Sequence, residues 1–144
     1  MHELLKDYPF VYTHKVAWGE MDALNHVNNA MYFRHFESTR IELFTKVGLM
    51  ASLAANQVGP ILAETRCRFK APVTYPDTVY IGTYITDLTP NSFIQKYVMV
   101  SESLNCVVAE GDGRVVCYDF KNACKTDLPS GVHEQLITQR LATD

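Results

Sequence analysis

The sequence predicts an α+β fold in which one long helix packs against an antiparallel sheet. A proline-free segment at residues 30–50 repeats its apolar positions with the period of a helix. From residue 61 to residue 122 the pattern changes to an alternation with period two, which is typical of strands. Only short clusters of turn-forming residues separate these strands, so consecutive strands are expected to pair in antiparallel fashion.

Composition predicts one globular domain spanning residues 1–144. The formal net charge is -3, with 47% apolar and 20% charged residues, which is typical of folded domains. The acidic charge argues against nonspecific nucleic-acid binding, and no apolar run reaches the roughly 20 residues that span a bilayer. The first nine residues lack the apolar core of a secretory signal, so a cytoplasmic location is expected. The four cysteines have no CxxC spacing, which favours reduced thiols over a metal site.

The first half of the chain is predicted to hold one strand and the long helix. Residues 10–18 form the strand, with Trp18 as its last apolar member. A polar loop is expected at residues 19–29, before the helix at residues 30–50. Residues 51–60 are predicted to be a loop that shapes a pocket.

The second half is predicted to be a run of strands followed by a short helix. Residues 61–71 place apolar side chains at odd positions and charged ones at even positions, so one face of this strand is expected to be buried. The further predicted strands are 78–88, 93–101, 106–110 and 114–120, and the final helix is 131–142. The Gly111-Asp112-Gly113 cluster predicts a bend, a bulge or a tight hairpin.

The long helix has an apolar arc near half of its circumference, as suits a helix cradled by a curved sheet. The arc holds Ala30, Tyr32, Phe33, Phe36, Ile41, Leu43, Phe44 and Val47, whereas His35 and Thr39 fall on the polar half. Glu37 and Arg40 lie inside the arc three residues apart, so they are able to pair. A partly buried ion pair that orients the helix is the favoured interpretation, and a carboxylate held at an active site is the alternative. Gly48 stands where the helix is expected to end.

The segment at residues 18–32 has the most chemically versatile side chains. It holds two carboxylates, one histidine and three asparagines directly before the helix. Asn25, Asn28 and Asn29 are good turn or N-cap residues, so a helix cap in a polar loop is one interpretation. The other interpretation is catalytic, because free N–H groups at a helix N-terminus polarise a carbonyl group. Asp22 would then lie beside them and activate water or attack directly.

These residues also carry a family resemblance. Between residues 18 and 40, Asp22 is followed by His26-Val27-Asn28-Asn29 and then by Tyr32, Phe36, Glu37 and Arg40. This run resembles the signature of the hot-dog-fold acyl-CoA thioesterases, and most of all their 4-hydroxybenzoyl-CoA thioesterase-like branch. Residues 69–77 resemble a turn of the same family. The resemblance implies a long central helix wrapped by a five- or six-stranded antiparallel sheet, which agrees with the order of elements above.

The resemblance implies a role for each residue of the motif. Asp22 matches the catalytic carboxylate, which acts as general base or nucleophile on the thioester carbonyl. The backbone N–H near Asn29 matches the donor that stabilises the oxyanion. His26 and Asn28 match positions that line the pocket or order the loop. Tyr32 is a candidate for the acyl pocket, and its place in the core would explain it equally. No metal or cofactor is needed, since coenzyme A is part of the substrate.

One position departs from the family pattern. Relatives often carry glycine before the histidine of the motif, where this chain has Asn25. Asparagine is the non-glycine residue that best tolerates positive φ, so the same loop turn is expected.

The resemblance also implies an assembly in which two sheets join edge to edge and each active site lies between subunits. A residue such as Glu64 would then come from the partner subunit, and many such dimers pair again into tetramers. Arg66, Arg68 and Lys70 share one strand face with it. An ordinary solvated face is the favoured interpretation, and contact of Arg68 or Lys70 with the coenzyme A phosphates is the alternative.

Two other functions stay open at the level of sequence. Hot-dog enoyl-CoA hydratases use an Asp-x-Asn-Pro-x-His pattern, whereas here His26 follows Asp22 by four residues without a proline. A non-catalytic acyl-binding module is disfavoured by the presence of Asp22. Among thioesters, those of coenzyme A are preferred over those of an acidic carrier protein, because the chain is itself acidic. The sequence predicts neither the length nor the type of the acyl group.

Overall fold

The computed structural model describes residues 2–142, and Met1, Thr143 and Asp144 of the predicted domain lie outside the described residues. The strands are β1 (Phe10–Lys15), β2 (Val58–Phe69), β3 (Thr78–Thr86), β4 (Ser92–Ser101), β5 (Cys106–Asp119) and β6 (Cys124–Lys125). The helices are α1 (Asn29–Val47), α2 (Leu49–Asn56) and α3 (Ser130–Ile137). Short 3-10 turns at Glu3–Leu5 and Trp18–Glu20 flank β1.

The strands between residues 2 and 142 form one antiparallel sheet. Its order is β1-β3-β4-β5-β2, and the short β6 pairs with β5. The long helix α1 contacts β1, β2 and β3. The predicted α+β architecture, with one long helix against an antiparallel sheet, is confirmed. No helix in this part of the chain has both the length and the apolar character to cross a membrane.

Two clusters of buried side chains hold α1 on the sheet. In the first, the ring of Phe36 stacks on Tyr97 of β4, with their centroids 4.5 Å apart. In the second, Leu43 and Phe44 pack together with Leu136 of α3. Burying each of these side chains stabilises the fold by about 1.5–3 kcal/mol. The buried side chains of α1 thus hold the helix, including its N-terminus, in a fixed position on the sheet.

β5 runs without interruption past Gly111-Asp112-Gly113, so the bend, bulge or hairpin predicted there is wrong. These residues pair in continuous register with both β2 and β4. A Cβ atom on Gly111 would lie 2.6 Å from the Phe36 ring and 2.5 Å from the Arg66 carbonyl oxygen. Glycine is therefore needed here for the close approach of a helix side chain rather than for a turn.

Several element boundaries differ from the predictions. β1 ends at Lys15, and Trp18 is 72% exposed in the 3-10 turn instead of belonging to the strand. The helix ends at Gly48 as expected, with a left-handed φ of 89°. However, the segment predicted as a loop at residues 51–60 is helix α2 and the start of β2. The last helix ends at Ile137 and not at residue 142.

The predicted buried face of residues 61–71 is only partly buried, with Cys67 and Ala71 packed against the first core cluster. Ala63, Thr65 and Phe69 occupy the odd positions of the alternation and are nevertheless exposed. The physical reason is that, among residues 2–142, the elements packed on this face of the edge strand β2 cover only part of its length. Alternation indicates which side chains share a face, and it does not indicate whether the same chain covers that face.

The arc of α1 that is buried also differs from the predicted one. His35 and Thr39 are buried, although the helical wheel places them on the polar half. Ile41 is 42% exposed, although the wheel places it on the apolar half. Thr39 is accommodated because its hydroxyl donates to the His35 carbonyl oxygen at 2.8 Å. His35 is accommodated by a carboxylate outside the helix, which is described below.

The predicted ion pair between Glu37 and Arg40 is wrong. Glu37 is exposed, whereas Arg40 is buried and donates from Nη1 to the Tyr97 hydroxyl oxygen at 3.0 Å. Burial raises the pKa of Tyr97 to about 12, against the opposing effect of the guanidinium group. The hydroxyl is therefore neutral at pH 7, and a bond from helix to sheet replaces the bond expected within the helix.

Candidate active site

A closed loop leads from the second 3-10 turn to α1 and carries the predicted catalytic residues. Its two sides meet at Met21 and Val27 in an isolated β-bridge. The Asp22 N–H donates to the His26 carbonyl oxygen at 3.1 Å. At the tip, Asn25 adopts a left-handed φ of 61°, as expected of the residue that stands in place of glycine. The loop is thus folded by its own backbone bonds.

Asn28 connects the Asp22 carboxylate to the start of α1. Its Nδ2 donates to Asp22 Oδ2 at 3.3 Å, and its Oδ1 accepts from the Ala30 N–H at 2.8 Å as the helix N-cap. The second carboxylate oxygen of Asp22, Oδ1, accepts from the Leu24 N–H at 2.9 Å. Asp22 is half-buried. Its carboxylate is therefore oriented by the loop and still reachable by water.

Asn29 is the first residue of α1, and its backbone N–H has no acceptor among residues 2–142. The two N–H groups that follow it are both satisfied by Asn28. The Ala30 N–H donates to the Asn28 side chain, and the Met31 N–H donates to the Asn28 carbonyl oxygen at 2.9 Å. Asn29 is exposed, and the helix dipole gives its N–H a positive partial charge. Such a donor is suited to an oxyanion.

A pocket of about 250 Å³ opens beside this helix start. Its lining consists of His26, Val27, Asn29, Tyr32, Phe69, Lys70, Ala71 and Pro72. Four predicted site residues thus meet there, whereas Asp22 and Asn28 are neighbours in the loop that do not line it. The rings of Tyr32 and Phe69 lie edge to face with centroids 5.0 Å apart, and burial raises the pKa of Tyr32. The pocket therefore has an aromatic wall and a polar rim.

The other two predicted site residues lie away from this pocket. Glu64 and Arg68 are exposed on β2, and Arg68 lines a separate cavity of about 560 Å³ together with Tyr8. Lys70 is part of the first pocket, but its Nζ lies 3.0 Å from Glu110 Oε1. A phosphate group that bound Lys70 would compete with this carboxylate. One chain therefore does not bring Glu64 and Arg68 to Asp22.

A cluster that sequence reasoning missed lies next to the loop. His14 of β1 and His35 of α1 both direct Nε2 at the Glu20 carboxylate, at 2.8 Å from Oε2 and 2.6 Å from Oε1 respectively. The Ala17 N–H also donates to Glu20 Oε2, at 2.6 Å. Glu20 and His35 are buried, and the two imidazole centroids are 4.0 Å apart. The sequence indicates only a carboxylate in a polar loop, because the two histidines belong to a strand and a helix.

The charges in this cluster follow from its contacts. Burial raises the pKa of the Glu20 carboxyl, but the bonds from Ala17 and His14 and the nearby imidazoles outweigh it, so the pKa is lowered. Burial and the neighbouring His14 lower the pKa of His35, against the opposing effect of Glu20. Glu20 is therefore an anion and His35 is neutral at pH 7. The three ligand atoms lie within 4.8 Å of one another, as in a metal site, but hydrogen bonds already occupy both carboxylate oxygens.

Comparison with known proteins identifies a family for this chain. The family model of the thioesterase-like superfamily matches residues 16–136. The long-chain acyl-CoA thioesterase FadM of Escherichia coli strain K12 is 25% identical over 122 residues, which cover 85% of this chain and 92% of that protein.

Solved structures agree with this match. A gentisyl-coenzyme A thioesterase is 27% identical with a TM-score of 0.78, covering 88% of this chain and 99% of its own. A 1,4-dihydroxy-2-naphthoyl-CoA thioesterase from Synechocystis shares the fold at 16% identity, with a TM-score of 0.80 and coverage of 89% and 95%. The predictions of a hot-dog fold and of a thioester hydrolase are thereby confirmed. The chain belongs to the thioesterase-like superfamily.

Proposed function

We propose that this protein hydrolyses an acyl-CoA thioester to the free acid and coenzyme A, with Asp22 as general base or nucleophile. The observation that carries the proposal is the position of Asn28. Its side chain ties the Asp22 carboxylate to the helix start, where the Asn29 N–H is unpaired within residues 2–142. A negative group that activates water and a donor for the developing oxyanion are thus held by one residue.

In the proposed reaction, the thioester carbonyl enters beside the Asn29 N–H, which polarises it. As a general base, Asp22 takes a proton from water while the water oxygen bonds the carbonyl carbon. The tetrahedral intermediate then expels the coenzyme A thiolate, which recovers the proton from Asp22. As a nucleophile, Asp22 would instead attack the carbonyl carbon and expel the coenzyme A thiolate, which leaves an acyl anhydride on Asp22. Water then hydrolyses the anhydride to the free acid and the Asp22 carboxylate, and the proton released in this step goes to the thiolate. Neither route needs a metal or a separate cofactor.

The proposed substrate is a thioester of coenzyme A. The relatives named above act on long-chain, gentisyl and dihydroxynaphthoyl thioesters of coenzyme A, so both aliphatic and aromatic acyl groups must be tested. Tyr32 and Phe69 offer an aromatic wall to such a group, and His26 and Lys70 offer polar contacts at the rim. A net charge of -3 argues against an acidic carrier protein as the source of the thioester.

The proposed assembly is a homodimer, or a tetramer made of two dimers, in which β2 edges of two copies pair. β2 is a 12-residue edge strand, and Leu62 and Phe69 on it are 37% and 40% exposed. Long edge strands with apolar side chains are suited to pairing with another strand. Glu64 and Arg68 would then reach the site of the partner subunit. A cytoplasmic location is part of the proposal, and the four unpaired cysteines support it.

The test is a panel of saturated, unsaturated and aromatic acyl-CoAs, with release of free thiol followed by a chromogenic reagent. Cys124 is exposed and unpaired, so an enzyme blank without substrate sets the baseline. Asp22→Asn keeps the oxygen that accepts from Leu24, and hydrolysis should fall by about 10²–10⁴-fold while the fold is retained. Asp87→Asn is the matched control, because it makes the same chemical change at an exposed loop residue.

Equal rates for wild type and Asp22→Asn would contradict the role of Asp22. Absence of thiol release by the wild type would contradict thioester hydrolysis of these substrates. Hydration of the enoyl-CoA members, hydrolysis of carrier-protein thioesters and simple acyl binding would then be measured in turn.

A further inference from the structure

We infer that Glu20, clamped between His14 and His35, is a positioning residue for the catalytic loop, and this inference rests on the proposed function. The clamp consists of these three side chains, which come from the 3-10 turn, β1 and α1. It fixes the point at which the loop leaves the body of the protein, two residues before Asp22.

The clamp is complete as a hydrogen-bonded unit. Glu20 accepts three bonds, from His14 Nε2 at 2.8 Å, from His35 Nε2 at 2.6 Å and from the Ala17 N–H at 2.6 Å. Only 7% of Glu20 and 5% of His35 are exposed. A buried carboxylate is tolerated only when it is paired or hydrogen-bonded in this way. Removing one donor therefore leaves a buried anion that must move toward water.

The clamp is connected to the reacting groups through the backbone. The Glu20 carbonyl oxygen accepts from the Asn28 N–H at 2.9 Å, and Met21, the next residue, pairs with Val27. Asn28 is the residue that holds both the Asp22 carboxylate and the helix start. A displacement of Glu20 is thus transmitted to Asp22 from both ends of the loop. Since a misplacement of about 1 Å costs about 10²-fold in rate, the clamp is expected to affect kcat more than KM.

None of the clamp residues lines the pocket beside Asn29. Their contribution to the reaction is therefore indirect, through the position of the loop. Besides the two imidazoles, Arg34 of α1 acts on the clamp, and its charge helps to lower the pKa of His35.

The test uses three variants in the full chain. Glu20→Gln replaces an acceptor oxygen by an NH₂ group that opposes an imidazole donor. His35→Leu removes one donor at similar volume, and His35→Gln restores an N–H donor. Glu42→Gln on the exposed part of α1 and His133→Gln on α3 are the matched controls. Each variant is measured for kcat and KM on the best acyl-CoA substrate, and for folded fraction by circular dichroism.

We expect kcat to fall by about 10-fold to 100-fold in Glu20→Gln and in His35→Leu, with KM changed by less than about threefold. His35→Gln should recover most of the kcat lost in His35→Leu, and both controls should equal the wild type. A merely structural role would lower the melting temperature and leave kcat per folded molecule unchanged. That result, or equal losses of kcat in folded His35→Gln and His35→Leu, would overturn the proposal. If Glu20→Gln fails to fold, the comparison of the two His35 variants decides.

A second readout does not depend on activity. Trp18 is the single tryptophan of the chain, is 72% exposed and opens the 3-10 turn that contains Glu20. Quenching of its fluorescence by acrylamide should change in Glu20→Gln and His35→Leu, and stay constant in the controls. If the wild type hydrolyses no substrate, this result contradicts the proposed function and does not bear on the clamp. Unchanged quenching in all folded variants would refute the clamp separately.

Discussion

Asn28 makes one contact that caps α1 and one contact with the proposed catalytic carboxylate, and single substitutions are able to separate them. Its Oδ1 caps α1 through the Ala30 N–H at 2.8 Å, and its Nδ2 donates to Asp22 Oδ2 at 3.3 Å. Asn28→Ala removes both contacts. Asn28→Ser keeps a good N-cap oxygen, but its side chain is too short to replace the amide donor to Asp22.

The magnitudes follow from the geometry of the two contacts. Loss of an N-cap costs about 1 kcal/mol, which corresponds to about 3–5 °C in melting temperature for a chain of this size. A hydrogen bond to a charged group contributes about 1.5–3 kcal/mol, but 3.3 Å is longer than the usual range and Asn28 is exposed. We therefore assign about 1 kcal/mol to the contact with Asp22, or about fivefold in kcat.

We expect Asn28→Ala to lose both stability and kcat, and Asn28→Ser to lose kcat alone. Thermal melting by circular dichroism gives the stability, and thiol release from the best acyl-CoA substrate gives kcat. Wild-type kcat in Asn28→Ser would refute the idea that Asn28 orients the carboxylate. A wild-type melting temperature in Asn28→Ala would refute its role as the cap.

Two further predictions concern stability. Gly111→Ala should destabilise the fold by about 1–3 kcal/mol, because the new Cβ would lie 2.5 Å from a backbone oxygen. Gly131→Ala is the control, because its new Cβ would meet no atom within 4 Å. Equal midpoints of urea unfolding for the two variants would contradict this explanation. Acidification should also lower the free energy of unfolding. The pKa values of His35 and Glu20 are both lowered in the folded protein, so the unfolded state binds more protons than the folded state as the pH falls. This loss of stability begins below pH 6.5, the ordinary pKa of His35, and increases below pH 4.5, the ordinary pKa of Glu20. Urea unfolding at about pH 7.5 and about pH 5.5 should show a smaller loss in His35→Gln than in the wild type, and an equal loss would contradict this assignment.

The parts of the site that could be predicted are those that depend on near neighbours in sequence. The N-cap, the positive φ of Asn25 and the start of α1 all lie within the loop of residues 21–30, and their bonds join residues that are close along the chain. Residue type then determines geometry, because few residues satisfy a helix start or tolerate a left-handed turn. The element order could be predicted for the same reason, since alternation and helical period are local patterns.

The predictions that failed concern residues whose partners lie on distant segments of the chain. Arg40 was expected to pair with Glu37 one turn away, but its acceptor is Tyr97 on β4. His35 looks solvent-facing on a helical wheel, yet it is buried because Glu20 lies opposite. Gly111 resembles a turn residue, but it serves the approach of a helix ring to the sheet. A one-dimensional pattern contains no information on these partners, so polar residues in the core and glycines in strands were misinterpreted.

The cap at the start of α1 also determines which N–H group is left for the proposed contact with the substrate. A helix begins with N–H groups that lack partners in its own first turn. Here Asn28 satisfies the second and third of them, at Ala30 and Met31, and the first, at Asn29 beside the pocket, has no acceptor among residues 2–142. The same residue bonds the Asp22 carboxylate. The spacing between the proposed base and the proposed oxyanion donor is therefore set by one side chain, and the loop anchored at Glu20 determines where that side chain stands.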